Sequence, residues 1–273
     1  MYDFYSDKIL VGGIPISRLT RSELASQMVA DCRAAKSGKL GVPKVVISAN
    51  GSVVAAYHSD QKFSFHVDQA DIVDADGMPL VFASKMLCKA PLRERVATTD
   101  FIEDAGRAAA ENAIRFYFLG GRPGIAADAA GKLTARYPGL QVVGCRHGYF
   151  SREDEASLCD EIVASGAQVL WLGLGSPIQE RFAIEHRDRL RGLAWIRTCG
   201  GLFDHIAERV ARAPAWMQSS GLEWLHRAAM EPRRLGWRYI STNPVAAYHL
   251  LTKTSDMVGP ATEQVPENQS SLA

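Results

Sequence analysis

Six short apolar runs, each followed by a stretch of helical character, constrain this chain more than any other feature. They are "KVVISAN" (44–50), "ADIVDAD" (70–76), "IRFYFLGG" (114–121), "LQVVGCRHGYF" (140–150), "AQVLWLGLG" (167–175) and "LAWIRTCGG" (193–201). Apolar strands that alternate with helices indicate a mainly parallel sheet covered on both faces. The helical stretches carry start signals. "TRSELASQMVADCRAAK" has Thr20 as N-cap with Glu23 three residues on, a capping box. "MPLVFASKML" follows Asp76-Gly77, "TTDFIEDAGRAAAENA" is capped by Thr99 or Asp100, "SREDEASLCDEIVASG" by Ser151, and "SPIQERFAIEHRDRL" by Ser176 with Pro177 at the first helical position. "KILVGGIPI" reads as a hairpin around Gly12-Gly13.

The fold class is therefore α/β, and the chain of 273 residues divides in three. Residues 1–204 form the α/β core. Residues 205–253 form a helical C-terminal appendage, broken at Pro214 and Pro232, with three of the five tryptophans and six arginines against three glutamates between His205 and Ile240. Residues 254–273, polar and proline-containing, are expected to be a disordered tail. A truncation after Arg212 is expected to leave a folded core.

A net charge of +1 gives no global field for recruiting nucleic acid. Arginine nonetheless crowds the second half, fourteen between Arg136 and Arg238 against a single lysine, Lys253, after Lys132. Guanidinium groups suit bidentate grips on phosphate, so an anionic ligand or surface is expected. The five cysteines form no C-x-x-C pair, which argues against a metal site or a disulfide framework and for a reducing cytoplasm. The N-terminus has no signal-peptide pattern. No apolar stretch approaches the ~18–20 residues of a membrane span, so membrane contact would be peripheral.

Ligands of parallel sheets bind where strand C-termini meet helix N-termini. Ser48 and Asn50 close one strand; Asp74 and Asp76 close another. Asp76 is either an N-cap or a catalytic carboxylate, and spacing alone leaves both open. "FLGGRPG" places Gly120 and Gly121 where backbone N–H groups could hold a phosphate, but as a nucleotide signal it is weak, and taken alone the stretch is better explained by a tight turn that needs glycine. "LGLGSPIQERF" places Gln179 in a first helical turn, where it could contact a base or sugar. "CGGLFDH" offers Asp204, and "RHGYF" offers His147 as an acid or phosphate donor. Physical reading ends at a cytosolic α/β protein that binds a nucleotide or phosphosugar.

Taken in order from about residue 10 to residue 250, these stretches resemble the WecG/TagA/CpsF family of bacterial glycosyltransferases. The matching pieces are the "SAN" strand end, "DADGMPLV", "RVATTD", "FYFLGGRPGIAADAAGKL", "RHGYF", "LGLGSPIQE" and "GGLFDHIAERVARAPAWMQSSGLEWLHRAAMEPRRLGWRY". The resemblance implies Rossmann-like features (a GT-E-like fold) and an inverting, metal-independent transfer of a hexose, with no cofactor. The donor would be a UDP-sugar of the N-acetylmannosamine, N-acetylmannosaminuronic acid or glucose type, and the acceptor a polyprenyl-diphosphate-linked sugar. The work would be done at the inner face of the plasma membrane during cell-surface or exopolysaccharide synthesis, with room left for an oligomer.

By motif, Asp76 corresponds to the general base and Ser48-Ala49-Asn50 to the family's Thr-x-Asn. Arg95 matches a pocket arginine, Gln179 and Asp204 match nucleotide-side positions, and Arg227, Arg233, Arg234 and Arg238 match the basic appendage. "DGMPLV" departs from the Asp-Gly-Ile-Gly of many members and is similar to exopolysaccharide-assembly members. Asp74 is left a structural role. Two other functions compete: a non-catalytic nucleotide-binding scaffold on the same fold, and a nicotinamide-dependent dehydrogenase, disfavoured by the missing G-x-G-x-x-G fingerprint.

Overall fold

Strands apolar on both sides of the pleat need helices on both faces, and that is how the six runs fold. The computed structural model describes residues 7–230, 232 and 236–257. In chain order the strands are β1 (Lys8–Val11), β2 (Ile14–Ser17), β3 (Lys44–Ala49), β4 (Ile72–Ala75), β5 (Arg115–Gly120), β6 (Gln141–Arg146), β7 (Val169–Gly173), β8 (Trp195–Thr198) and β9 (Ser255–Asp256). The helices are α1 (Arg21–Lys36), α2 (Gly51–Ser59), α3 (Gln61–Asp68), α4 (Met78–Leu87), α5 (Thr98–Asn112), α6 (Ile125–Arg136), α7 (Glu155–Ala164) and α8 (Ile178–Glu185). They continue with α9 (Leu202–Ile206), α10 (Ala215–Ser219), α11 (Glu223–Met230) and α12 (Trp237–Thr252).

The six apolar runs make one parallel sheet in the order β4-β3-β8-β7-β5-β6. One face carries α1, α5, α6 and α9, whose Phe101, Ile102, Leu133 and Phe203 pack on Trp171 and Trp195. The other face carries α2, α3, α4, α7 and α8, with Val54, Phe63, Leu80 and Phe182 in its core. Connections from β3 and β8, and again from β5 and β7, leave toward opposite faces. Adjacent strands that diverge in this way open a crevice at their C-terminal ends, the usual ligand position in such sheets.

The capping box of α1 forms as expected, Thr20 accepting from the Glu23 N–H and the Glu23 carboxylate accepting from the Thr20 N–H. Other starts fall one to three residues from the expected caps. Ala97 precedes α5, Asp154 precedes α7 and accepts from the Ser151 hydroxyl, and Pro177 precedes α8. Gly77, not Asp76, stands at the N-cap of α4.

The C-terminal region differs from the expected appendage, and residues 254–257 from the start of the expected tail; residues 258–273 of that tail lie outside the described residues. α12 runs along α2, burying Ala246 and Leu250 in the core cluster of Val11, Val53 and Val54. Beyond it Thr254 accepts the Gly12 N–H, and β9 pairs antiparallel with β1. Asp256 accepts the backbone N–H groups of Lys89 and Ala90. The structured chain thus extends past residue 254, because the β1 edge would otherwise stand unpaired. A cut after Arg212 would strip both this edge and the cover of α2, so the expectation of an intact core is revised. No helix among the described residues is long and apolar enough to cross a membrane.

Candidate active site at the carboxyl end of the sheet

The C-terminal ends of β3 and β4 bring Ser48, Asn50 and Asp76 together with the start of α5. The Asp76 N–H donates to the Ala49 carbonyl at 2.8 Å, which locks the two strand ends to each other. The Thr98 N–H donates to Asp76 Oδ1 at 2.8 Å, and the Ser48 and Thr98 hydroxyls share a hydrogen bond of 2.7 Å. Asp76 therefore caps α5, a helix from elsewhere in the chain, rather than its own. Its other oxygen makes no hydrogen bond or ion pair among the described residues, and the residue is half-buried. The Asn50 carboxamide oxygen caps α2 by accepting from Ser52 and Val53.

Cations collect around this array. Arg95 binds Glu223 at 2.9 Å and Asp100 at 3.3 Å; Arg212 binds Asp100 at 2.6 Å and feels the charge of Asp76. Against the pull of burial, Arg212 and Arg95 hold the Asp100 carboxyl below the usual carboxylate range. Arg212 Nε and Nη2 and Arg227 Nε are buried without a hydrogen-bond partner, and Arg227 reaches the Gly200–Gly201 turn. His205 beside them is held below the usual imidazole range, first by burial and then by Arg227. A cleft of about 410 Å³ opens next to the array, walled by Thr99, Leu202, His205 and Arg212. Asp76 is not among its walls; Arg212 links the two.

The three glycine turns have a demonstrable packing role. A Cβ on Gly120, where φ is +145°, would stand 2.2 Å from the Gly173 carbonyl oxygen, and one on Gly173 would stand 2.8 Å from that of Gly200. Backbones this close admit only glycine. The Gly121 N–H is taken by the Gly173 carbonyl at 3.3 Å. Gln179 is buried and staples two turns, its Oε1 accepting from Gly200 N–H at 3.1 Å and its Nε2 donating to Glu180. Burial pushes the Glu180 carboxyl up, with Gln179 and Ser176 bonds opposing.

Not all expected residues meet. β4 and β6 lie at opposite edges, five strand spacings or about 24 Å apart at ~4.8 Å each. His147, just past β6, accepts from the Tyr149 N–H and sits with the Gly121 turn through the Gly148 N–H···Gly121 bond, away from Asp76. Asp204 is half-buried on α9, with no side-chain hydrogen bond among the described residues. Arg238 lies over the Tyr239 ring at 5.1 Å on exposed α12. Arg233 and Arg234 lie outside the described residues.

Sequence reading missed Thr98, Asp100, Arg212 and Glu223, although "RVATTD" and "GLEWLHR" stand among its quoted motifs. It also set aside the most unusual group. Asp74 is 1% exposed and faces Arg197, 0% exposed, at 2.6 Å. Desolvation pushes the Asp74 carboxyl up to about 6, against the opposing pull of Arg197.

Among the described residues one trio has the spacing of metal ligands, Glu155, Glu185 and His186. Arg181 already bridges both carboxylates, and the trio lies on the face away from α5. An ion there would have to displace a guanidinium.

Comparison with known families gives one match that spans nearly all of this architecture. The family profile described as "Glycosyl transferase WecG/TagA/CpsF family" covers residues 9–257, from β1 through β9.

Proposed function

The chain belongs to the WecG/TagA/CpsF glycosyltransferase family, and from that premise we propose that it transfers a hexose from a UDP-sugar to a polyprenyl-diphosphate-linked sugar. The observation that carries the reading is the half-ionically surrounded carboxylate of Asp76. One oxygen is fixed by the Thr98 N–H, the other has no protein partner among the described residues, and the charge of Arg212 reaches it.

In the proposed step Asp76 accepts the proton of the acceptor hydroxyl as that oxygen bonds to the anomeric carbon. The bond from the anomeric carbon to the β-phosphate oxygen breaks, and UDP departs with the electron pair. Attack from the opposite side inverts the centre. A single base suffices, unlike the paired carboxylates of hydrolysis. Charge building on the diphosphate is met by preorganised cations. Arg95 exchanges a carboxylate partner for phosphate; Arg212 and Arg227 supply donors that lack protein partners. Ser48 and Asn50 border the acceptor side.

The membrane reading rests on α12. Trp237, Ile240, Pro244, Tyr248 and Leu251 recur every three or four residues and form one stripe. Trp237, Ile240, Tyr248 and Leu251 are 75, 68, 63 and 57% exposed. The stripe lies on a different side of the helix from Ala246 and Leu250, which pack on α2, so the helix is apolar on both sides. Phe82 and Met86 of the adjoining α4 are exposed too. An exposed stripe of this kind suits the interfacial plane of a bilayer and would bring a lipid-linked acceptor to Asp76.

The experiment is incubation of the full chain with UDP-N-acetylmannosamine, its uronic acid or UDP-glucose and a short-chain polyprenyl-diphosphate-linked sugar, read by mass. Appearance of a product heavier by one hexose residue supports the reading, and absence with every donor removes it.

A further inference from the structure

Ser48 and Asp74 are register partners on β3 and β4, and Arg197 on β8 lies opposite Val46 of β3. All three therefore face the same side of the sheet, beneath the N-terminal turn of α5. Removing two charges from water is expensive, and a buried ion pair is commonly no more stable than apolar residues of similar volume. Here the desolvation is poorly offset. The two groups stand 2.6 Å apart through one guanidinium nitrogen, yet Arg197 Nε and Nη2 are buried with no hydrogen-bond partner. Stability therefore gives no reason for this pair.

Its location does. The Arg197 guanidinium lies over the Phe101 ring at 5.3 Å. Phe101 follows Thr98 by three residues and shares its helix face. Thr98 in turn holds Asp76 through its N–H and Ser48 through its hydroxyl. On the other side Asp74 sits beside Ser48, its register partner, and two residues before Asp76, whose like charge it feels. Arg197 thus grips β4 through Asp74 and α5 through Phe101, the two elements whose relative position aims Asp76.

We propose that the buried Asp74–Arg197 pair is a positioning device that sets the start of α5 against β4, so that Thr98 fixes the Asp76 carboxylate for proton acceptance. The proposal rests on Asp76 as the base. A displacement of about 1 Å at reacting groups can cost about 10²-fold in rate.

The test uses full-length D74L/R197M, which replaces both charges with apolar groups, and D74N/R197Q, which keeps polarity without charge. Melting temperature, UDP affinity by calorimetry, steady-state kinetics and a crystal structure are compared with the parent. The expected result is a folded variant with UDP affinity and donor KM within about twofold, kcat lower by about 10²-fold, and the Thr98–Asp76 and Ser48–Thr98 contacts broken. A folded variant with parental kcat overturns the proposal, as does a loss of kcat with both contacts intact. Failure of both variants to fold makes the pair a structural staple and also overturns it. If the parent transfers no sugar, the glycosyl-transfer reading fails separately, and the two contacts in the variant crystal still decide the positioning claim.

Discussion

At the scale of single residues, the site is built from polar side chains that hold other elements rather than their own. Asp76 caps α5 and Gln179 staples the Gly200 turn, so each has a structural partner on one atom and an open or shared one on another. Substitution of Gln179 by Ala orphans the Gly200 N–H and is expected to cost about 1–3 kcal/mol, read by urea unfolding. A cost near zero would mean that the bond is not formed in solution. Gly120 is stricter. Gly120→Ala sets a methyl against the Gly173 carbonyl at a φ of +145°, and soluble, folded protein is not expected. Recovery of a variant with parental melting temperature would contradict the packing described for the three turns. Most of the carboxylates and glycines of the site were legible in "DADG" and "FLGG" because strand ends and turns demand those residue types. Thr98, Arg197 and Glu223 were not, since their roles come from contacts across 22 to 128 positions that no local pattern records.

At the scale of elements, the sheet could be read almost strand for strand, because apolar runs bounded by glycine carry their own signal. Helix starts were less legible. The expected caps at Ser151 and Ser176 instead form bonds to Asp154 and Glu180, and the chain begins its helix a few residues later. α12 escaped as a core element because Pro244 and its two apolar sides hide the period of a surface helix. Its two sides make opposite predictions. Ala246→Asp on the α2 side should unfold the C-terminal region. Trp237→Glu with Tyr248→Glu, on the outer stripe, should leave melting temperature unchanged within a few degrees and abolish sedimentation with anionic vesicles. Unchanged vesicle binding by that double variant would remove the membrane role from this stripe. α11 contributes differently: Glu223→Gln frees Arg95 from one carboxylate and should change donor KM more than kcat, by steady-state kinetics. A change in kcat alone would place Glu223 closer to the reacting atoms than its bond to Arg95 implies.

At the scale of the whole molecule, the first and last described strands meet. β9 pairs with β1 and α12 covers α2, so the hairpin near the N-terminus and the last described strand stabilise each other. Truncation after Arg212 should lower the melting temperature markedly or give insoluble protein; a soluble fragment with parental stability would show that this closure is idle. Acid–base behaviour is also a property of the whole. Asp100 and Glu155, held low despite their burial, contribute stability that is present above the ordinary carboxylate range and is lost as pH falls through their own values. Asp74 runs the other way. Its raised carboxyl contributes stability that is full below the ordinary carboxylate range and fades as pH rises through about 6. The melting temperature of D74L/R197M relative to the parent should therefore rise between pH 4.5 and 7.5, and a constant difference would show that Asp74 does not titrate there.

One measurement bears on the centre of this picture more directly than the rest, the substitution Asp76→Asn assayed for sugar transfer and for UDP affinity in the same preparation. Asn keeps the shape and can still accept the Thr98 N–H, but it cannot take a proton. If Asp76 is the base, transfer falls by about 10²–10⁴-fold while UDP binds within twofold of the parent. Transfer at the parental rate with an amide at position 76 would contradict it.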